Sequence, residues 1–271
     1  IWASLIVGLI FTGYFLFKLS DSLKFYFNKV HIKYIVSYSF PLIPYALSSI
    51  ILAQFDKIMI NSISGSASAG LYSLGYTFGL ILLMAITAMH NAMTPQIMNF
   101  FNRAEFSRID LLFKRIFSIE AIIALGLIFF GKDLIIFLAD EKYHVAGEIV
   151  SIVVIGHLMY GMALIYAQYM NFVKKMIYLS ISVLSAGVIN IILNFMYIPK
   201  YGYIAAAYTT AISYFLMFLF NWIFSKYILK QKTTPLWALW KPIFIISIPI
   251  FIIYLINPLI FNPIILIFVK I

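Results

Sequence analysis

The residues best placed to do chemistry here are polar groups inside long apolar runs. In hydrocarbon such groups are costly and tend to face a bundle interior or a wet cavity. Between residues 34 and 60, Ser37, Pro41, Tyr45, Ser48, Ser49 and Asp56 fall within about a third of a turn of one another on an ideal helix, with Lys57 beside the acid. Glu120 stands roughly two turns in from Lys114 and Arg115. His157, Tyr160, Gly161, Gln168 and Asn171 form a stripe at helical spacing, as do Gly187, Asn190 and Asn194; Thr87, His90 and Asn91 form a smaller cluster. Carboxylates, amides and hydroxyls in such positions can hold a proton, a small cation or the polar part of a substrate.

Each group also has a purely structural reading. Pro41 and Pro44 remove backbone donors and bend the helix. Asp56 and Lys57 can pair with each other among headgroups near the helix end. Glu120 can pair with Lys114 or Arg115, and His157, Asn190 and Asn194 can hold helices together. The stripes taken as a set point to a shared hydrated cavity.

No enzyme constellation emerges. The histidines (His31, His90, His144 and His157) lack metal-ligand spacing, and the absence of cysteine removes thiolate sites and disulfides. There is no P-loop and no glycine-rich dinucleotide fingerprint, so neither metal nor cofactor is expected. There is also no long hydrophilic loop to house a catalytic domain.

These side chains are carried on membrane helices. The chain is 64% hydrophobic and only 10% charged, against about 25% charged in soluble domains; its mean hydropathy is +1.02. A span takes about 20 apolar residues. Candidate spans are 1–17, 34–60, 70–92, 113–138, 147–173, 177–198, 203–225 and 240–256, with a short apolar piece at 258–270. The runs are continuous rather than alternating, which argues against a barrel. If each span switches the side of the membrane, Lys18, Lys24, Lys29, Lys33, Arg103, Arg108, Lys114, Arg115, Lys174, Lys175, Lys226, Lys230, Lys232 and Lys241 share one side. Lys57, Lys132, Lys142, Lys200 and the acids Asp133, Asp140, Glu141 and Glu148 fall on the other. The basic side is the cytoplasm. The net charge of +10 is therefore an orientation signal with attraction to anionic lipid, and no nucleic acid partner is implied. The chain begins at Ile1 within an apolar run, and the expectation is a fragment lacking its N-terminal part.

Three motifs resemble a known family. They are Ser39-Phe40-Pro41-Leu42-Ile43-Pro44-Tyr45-Ala46-Leu47-Ser48 with Asp56-Lys57; Gly70-Leu71-Tyr72-Ser73-Leu74-Gly75-Tyr76; and Asn190-Ile191-Ile192-Leu193-Asn194 with Ile198-Pro199-Lys200-Tyr201-Gly202 and Ala205-Ala206-Ala207. In this order, over about 34–225, they resemble the polysaccharide flippases (Wzx-type O-antigen and capsule repeat-unit transporters) of the multidrug/oligosaccharidyl-lipid/polysaccharide exporter superfamily. The resemblance implies an all-α membrane protein, a polytopic helical bundle with the second six-helix lobe of a two-lobe exporter fold plus flanking helices. On that template 1–17 is the last helix of a truncated N-terminal lobe, 18–33 a basic cytoplasmic link, 34–225 the C-terminal lobe and 240–270 one or two accessory helices.

The implied substrate is an oligosaccharide on a polyprenyl pyrophosphate, flipped from the inner to the outer leaflet of the bacterial plasma membrane by alternating access. Proton or sodium coupling, membrane lipids and the polysaccharide polymerase machinery are the implied partners. Rival readings are a multidrug antiporter or lipid II flippase of the same superfamily, and a membrane-embedded glycan-modifying enzyme. Candidate pathway residues are Tyr45, Ser49, Asp56, Lys57, Glu120, His157, Gln168, Asn171, Asn190 and Asn194. The family's usual Asp-Arg pair appears here as Asp56-Lys57, which keeps the cation but loses the bidentate fork for phosphate.

Overall fold

The computed structural model describes residues 2–19, 28–40, 42–241 and 244. The chain divides into two compact units, Ile1–Phe40 and Pro41–Ile271.

The first unit contains α1 (Trp2–Leu19) and α2 (Lys29–Ser39). From Leu5 to Leu19 the side chains of α1 are exposed, and they are apolar apart from Thr12 and Lys18 near the ends of turns. Such a surface suits lipid. The shorter α2 carries Lys29, His31 and Lys33 and ends in a turn at Phe40. The expected helix over 34–60 is therefore two elements. The cause is Pro41, whose ring disfavours helical backbone at the residue before it. Pro41 itself, the Ser37 side chain, half of the expected link at 18–33 and nearly all of 240–270 lie outside the described residues.

The second unit is built from α3 (Leu42–Asn102), α4 (Phe106–Leu138), a 3₁₀ segment (Glu141–Ile149), α5 (Val150–Phe172) and α6 (Met176–Ile223), closed by a π-helical turn (Phe224–Ile228). Four of its helices are long and apolar enough to cross a membrane, and no strand occurs among the described residues. Two of the four each contain a break. Gly65 (φ 84°, ψ 169°) interrupts α3, and Gly202 (φ 64°, ψ −152°) interrupts α6.

The chain folds back at both breaks. Tyr72 donates to Asp56 at 2.7 Å, whereas sixteen residues of straight helix would separate them by about 24 Å. Asn190 likewise reaches Thr210 at 3.3 Å. We call the halves α3a (42–64), α3b (66–102), α6a (176–201) and α6b (203–223). The breaks turn four long helices into six spans. The stretch 61–69, expected as a loop, is helical on both sides of its one glycine.

The turns between α3b and α4 and between α5 and α6a close with Ala104 (φ 54°) and Lys174 (φ 57°) in the left-handed region. There the amides of Glu105 and Lys175 return to the carbonyls of Phe100 and Met170 at 3.0 Å each. Both turns are basic and lie at the same end of the unit, because α3b and α5 run in the same direction. Helices α3b and α4 also extend further toward that end than hydropathy predicts, to Asn102 and from Phe106. Aromatic and branched side chains such as Phe113, Phe117, Tyr166 and Ile86 fill the core, while Phe130, Phe137 and Phe195 face outward.

Polar side chains tie the helices where lipid offers no partner. Asn221 donates to the Ala163 carbonyl at 2.9 Å, Ser225 to that of Tyr166 at 2.9 Å, and Ser182 to that of Met217 at 3.1 Å. Beyond α6b, Thr234 is held by Asp110 at 2.6 Å and by Tyr169 at 3.0 Å, which fastens the outgoing chain to α4 and α5.

Gly65 and Gly202 occupy a backbone region essentially restricted to glycine, and an added Cβ at either would meet nothing within 4 Å. The strain is thus conformational rather than steric. Gly65→Ala and Gly202→Ala should each destabilise the lobe by about 1–3 kcal/mol, while the helical Gly126→Ala should be neutral or stabilising. Thermal unfolding of the full-length protein in mild detergent checks the order.

Candidate functional site

Asp56 is the centre of the polar interior. It sits nine residues before Gly65, so α3a continues about 13 Å beyond it, and it lies deeper than a helix ending at 60 would place it. Its carboxylate is buried and accepts three hydrogen bonds. Asn194 of α6a reaches Oδ1 at 2.6 Å, Tyr72 of α3b reaches Oδ2 at 2.7 Å, and the Thr210 hydroxyl of α6b also donates to Oδ2. The outer layer is continuous. The Asn194 amide also donates to Asn190 Oδ1 at 3.1 Å, Asn190 donates to Thr210, and Thr209 donates to Asn194 Oδ1. The cluster presents a carboxylate, amide oxygens and hydroxyls, the donor set preferred by a hard cation, and the carboxylate can alternatively take a proton.

Lys57 does not pair with Asp56. It is half-buried, with Nζ 5.2 Å from the centre of the Tyr76 ring, where the ring's quadrupole attracts a cation. Tyr76 packs on Tyr72 at 5.5 Å and edge-on to His157 at 5.2 Å, and Tyr214 completes that aromatic group. On the other side of the network, a cleft of about 430 Å³ separates α6a from α6b, lined by Tyr197, Tyr201, Tyr208 and Thr209 among others. Its Thr209 links the cleft to Asn194 and so to Asp56.

Glu120 belongs to a different place. It pairs with His90 of α3b at 3.1 Å, with both side chains buried, and not with Lys114 or Arg115. Gly161 of α5 makes room for it: a Cβ there would lie 2.5 Å from Glu120 Oε2 and 3.2 Å from the carboxyl carbon. His157 joins helices by ring packing against Tyr76 and Tyr214 rather than by a hydrogen bond. Its Nδ1 is 2.8 Å from the Val153 carbonyl of its own helix, and its ring lies against Gly79.

Gln168 donates to Thr94 at 3.2 Å. Ser49 is satisfied by the Ala46 carbonyl of its own helix at 2.8 Å. Tyr45 is half-buried against the core, and Asn171 is half-buried at the inner end of α5. The structure therefore unites Asp56, Asn190 and Asn194, leaves Lys57 one side chain away, and separates Glu120, Gln168 and Asn171 from them. Tyr72, Thr209 and Thr210 complete the first group, and His90 and Thr94 the second. His90 stands out in the sequence beside Thr87 and Asn91, but the signal of the others is weak: Tyr72 lies within the second motif, and Thr209 and Thr210 follow the alanine run of the third.

Removing a hydrogen-bond partner from a buried polar group costs about 1–3 kcal/mol. Asn194→Ala should therefore destabilise the lobe by about that amount, whereas Ser49→Ala should change it by less than about 0.5 kcal/mol. Equal effects in chemical or thermal unfolding would show that the Asp56 cluster does not hold the helices.

A protein-family profile described as "Polysaccharide biosynthesis protein" matches residues 1–101, a stretch that holds two of the three motifs. A search of curated protein sequences finds no match. Among solved structures, "Lipid II flippase MurJ, inward closed conformation" aligns with a TM-score of 0.61 and 18% identity, over 93% of this chain and 54% of that one. The chain thus spans about half the length of the flippase. The profile agrees with the resemblance read from the motifs over residues 1–101, and over 93% of its length the chain shares the helical fold of that solved structure.

Proposed function

We propose that the protein flips polyprenyl-pyrophosphate-linked oligosaccharide units from the inner to the outer leaflet of the plasma membrane. The observation that carries this reading is the coincidence of a flippase fold over 93% of the chain with the polysaccharide-biosynthesis profile over residues 1–101. On this reading 34–225 is one lobe of a two-lobe transporter, 18–33 the cytoplasmic link before it, and 240–270 accessory helices. Sugar and pyrophosphate cannot cross hydrocarbon unaided, since each unsatisfied polar group costs several kcal/mol. A polar path between lobes lowers that barrier while the prenyl chain stays in lipid, and rocking of the lobes supplies alternating access.

Asp56 is proposed as the site through which a proton or sodium gradient drives the cycle. Its support is chemical: the carboxylate accepts from one amide NH2 and two hydroxyls on three helical segments, with the amide oxygens of Asn190 and Asn194 in the layer behind. Lys57, held by a cation–π contact rather than an ion pair, retains its charge for the pyrophosphate. The solved relative is named for lipid II, so lipid II is the second substrate to compare.

The test uses the full-length protein in proteoliposomes with labelled polyprenyl-pyrophosphate oligosaccharide. Expected outcomes are transfer of chemically unaltered substrate, loss of at least about tenfold in rate in Lys57→Ala, and loss of gradient dependence in Asp56→Asn. Faster transfer of lipid II would move the substrate assignment. Organic-cation efflux without lipid transfer would make the protein a drug antiporter, and a chemically altered substrate would make it an enzyme.

A further inference from the structure

Apart from the Asp56 cluster, the interior contains a second polar feature of opposite character. Four buried polar atoms without a hydrogen-bond partner lie along one seam: His157 Nε2, Glu120 Oε2, His90 Nδ1 and Gln168 Oε1. Buried polar side-chain atoms are rarely left in this state, and the four residues line the contacts that α5 makes with α3b and α4. Positions 157, 161 and 168 share one face of α5 within about 40°. His157 faces α3b at Gly79, Glu120 enters from α4 at Gly161, His90 of α3b grips Glu120, and Gln168 meets Thr94 of α3b. From His157 to Gln168 the seam runs about 16 Å along the helix axis.

The atom types point to one ligand class. A hard cation needs several oxygens, and here imidazole nitrogens take half the places. Among the described residues no group of three or more metal-ligating side chains occurs. A carboxylate 3.1 Å from an imidazole, whose second nitrogen is open, is suited to take up a proton and pass it on.

The surrounding charges leave the pair to itself. Along the seam stand His90 from α3b, Glu120 from α4 and His157 from α5; Tyr214 of α6b lies 5.5 Å from the His157 ring and 5.4 Å from Tyr160. Lys114 and Arg115 lie toward the basic end of α4, Arg115 exposed. Asp110 is engaged by Thr234.

We infer that the seam between α3b, α4 and α5 is a proton-binding centre, with His90 and Glu120 holding the proton and His157 and Gln168 lining its hydrated approaches. It is separate from the Asp56 cluster, and its binding of a proton does not depend on which lipid is carried.

Infrared titration of the full-length protein in lipid nanodiscs tests this directly. A carboxylic-acid carbonyl band should rise and fall with pH, vanish in Glu120→Gln and persist in Asp56→Asn. Its pH midpoint should move by about one unit or more in His90→Gln. ¹⁵N resonances of the histidine rings in the unaltered protein give a second readout, independent of whether Glu120→Gln folds: His90, identified by its absence in His90→Gln, should change protonation. The inference is overturned if no titrating band depends on Glu120, if the band ignores His90, or if no buried histidine changes protonation between about pH 5 and 9. It is also overturned if sodium rather than pH governs the band. Each readout is separate from transport, so a failed flipping assay leaves it standing.

Discussion

The structure depends on solvating the carboxylate of Asp56 without water. Burying a carboxyl group without partners costs several kcal/mol, and hydrocarbon offers no donor to offset it. The donors come instead from Tyr72, Asn194 and Thr210, on three different helical segments. A hydrogen bond tolerates only a few tenths of an ångström, so the acid sets the relative depth of α3a, α3b, α6a and α6b. The glycine breaks make this attainable. Asp56 and Tyr72 lie nine and seven residues from Gly65, and Asn194 and Thr210 each lie eight from Gly202. Two hairpins folded at Gly-only backbone positions thus bring their polar residues to one level.

Much of this architecture was legible in the sequence, because an apolar run of span length has few alternatives and basic turns mark one end. The errors have local causes. Polar serines at 62–68 read as a loop, yet the helix needs only one glycine to reverse, and serines satisfy themselves by bonding back, as Ser62 and Ser68 do to Met59 and Ser64. Hydropathy also ended α3b and started α4 too soon, because it follows the hydrocarbon and not the helix, which continues into water or headgroups.

Within the site, charge and amide were legible and hydroxyl was not. An acid or asparagine in an apolar run stands out because it needs a partner. A threonine or tyrosine does not, since Thr can bond its own helix and Tyr can reach an interface; nothing local selects Thr210 as the partner of an acid 154 positions away. Glu120 was assigned to Lys114 or Arg115 for their nearness in sequence, but six and five residues are not facing separations on a helix, where neighbours stand three or four apart. The side that carries Glu120 faces α3b and α5, and the smallness of Gly161 lets the acid approach.

The two buried acids therefore differ in how completely they are satisfied, and that difference bears on how such a lobe works. The Asp56 carboxylate is saturated by neighbours that are themselves bonded, an arrangement that holds one geometry. The seam at Glu120 keeps polar atoms unmatched on both sides of the His90–Glu120 contact, and each such atom costs about 1–3 kcal/mol while it remains so. On the proposed function, rocking requires a lobe to move as a body and some part of it to register the driving ion. The Asp56 cluster holds one geometry while its bonds are made and meets the driving ion by exchanging one of them. The seam at Glu120 can take up a proton or water without breaking a bond already made. The two sites share α3b, which carries Tyr72 to the first and His90 to the second, so one unit can be stiff at one level and responsive at another.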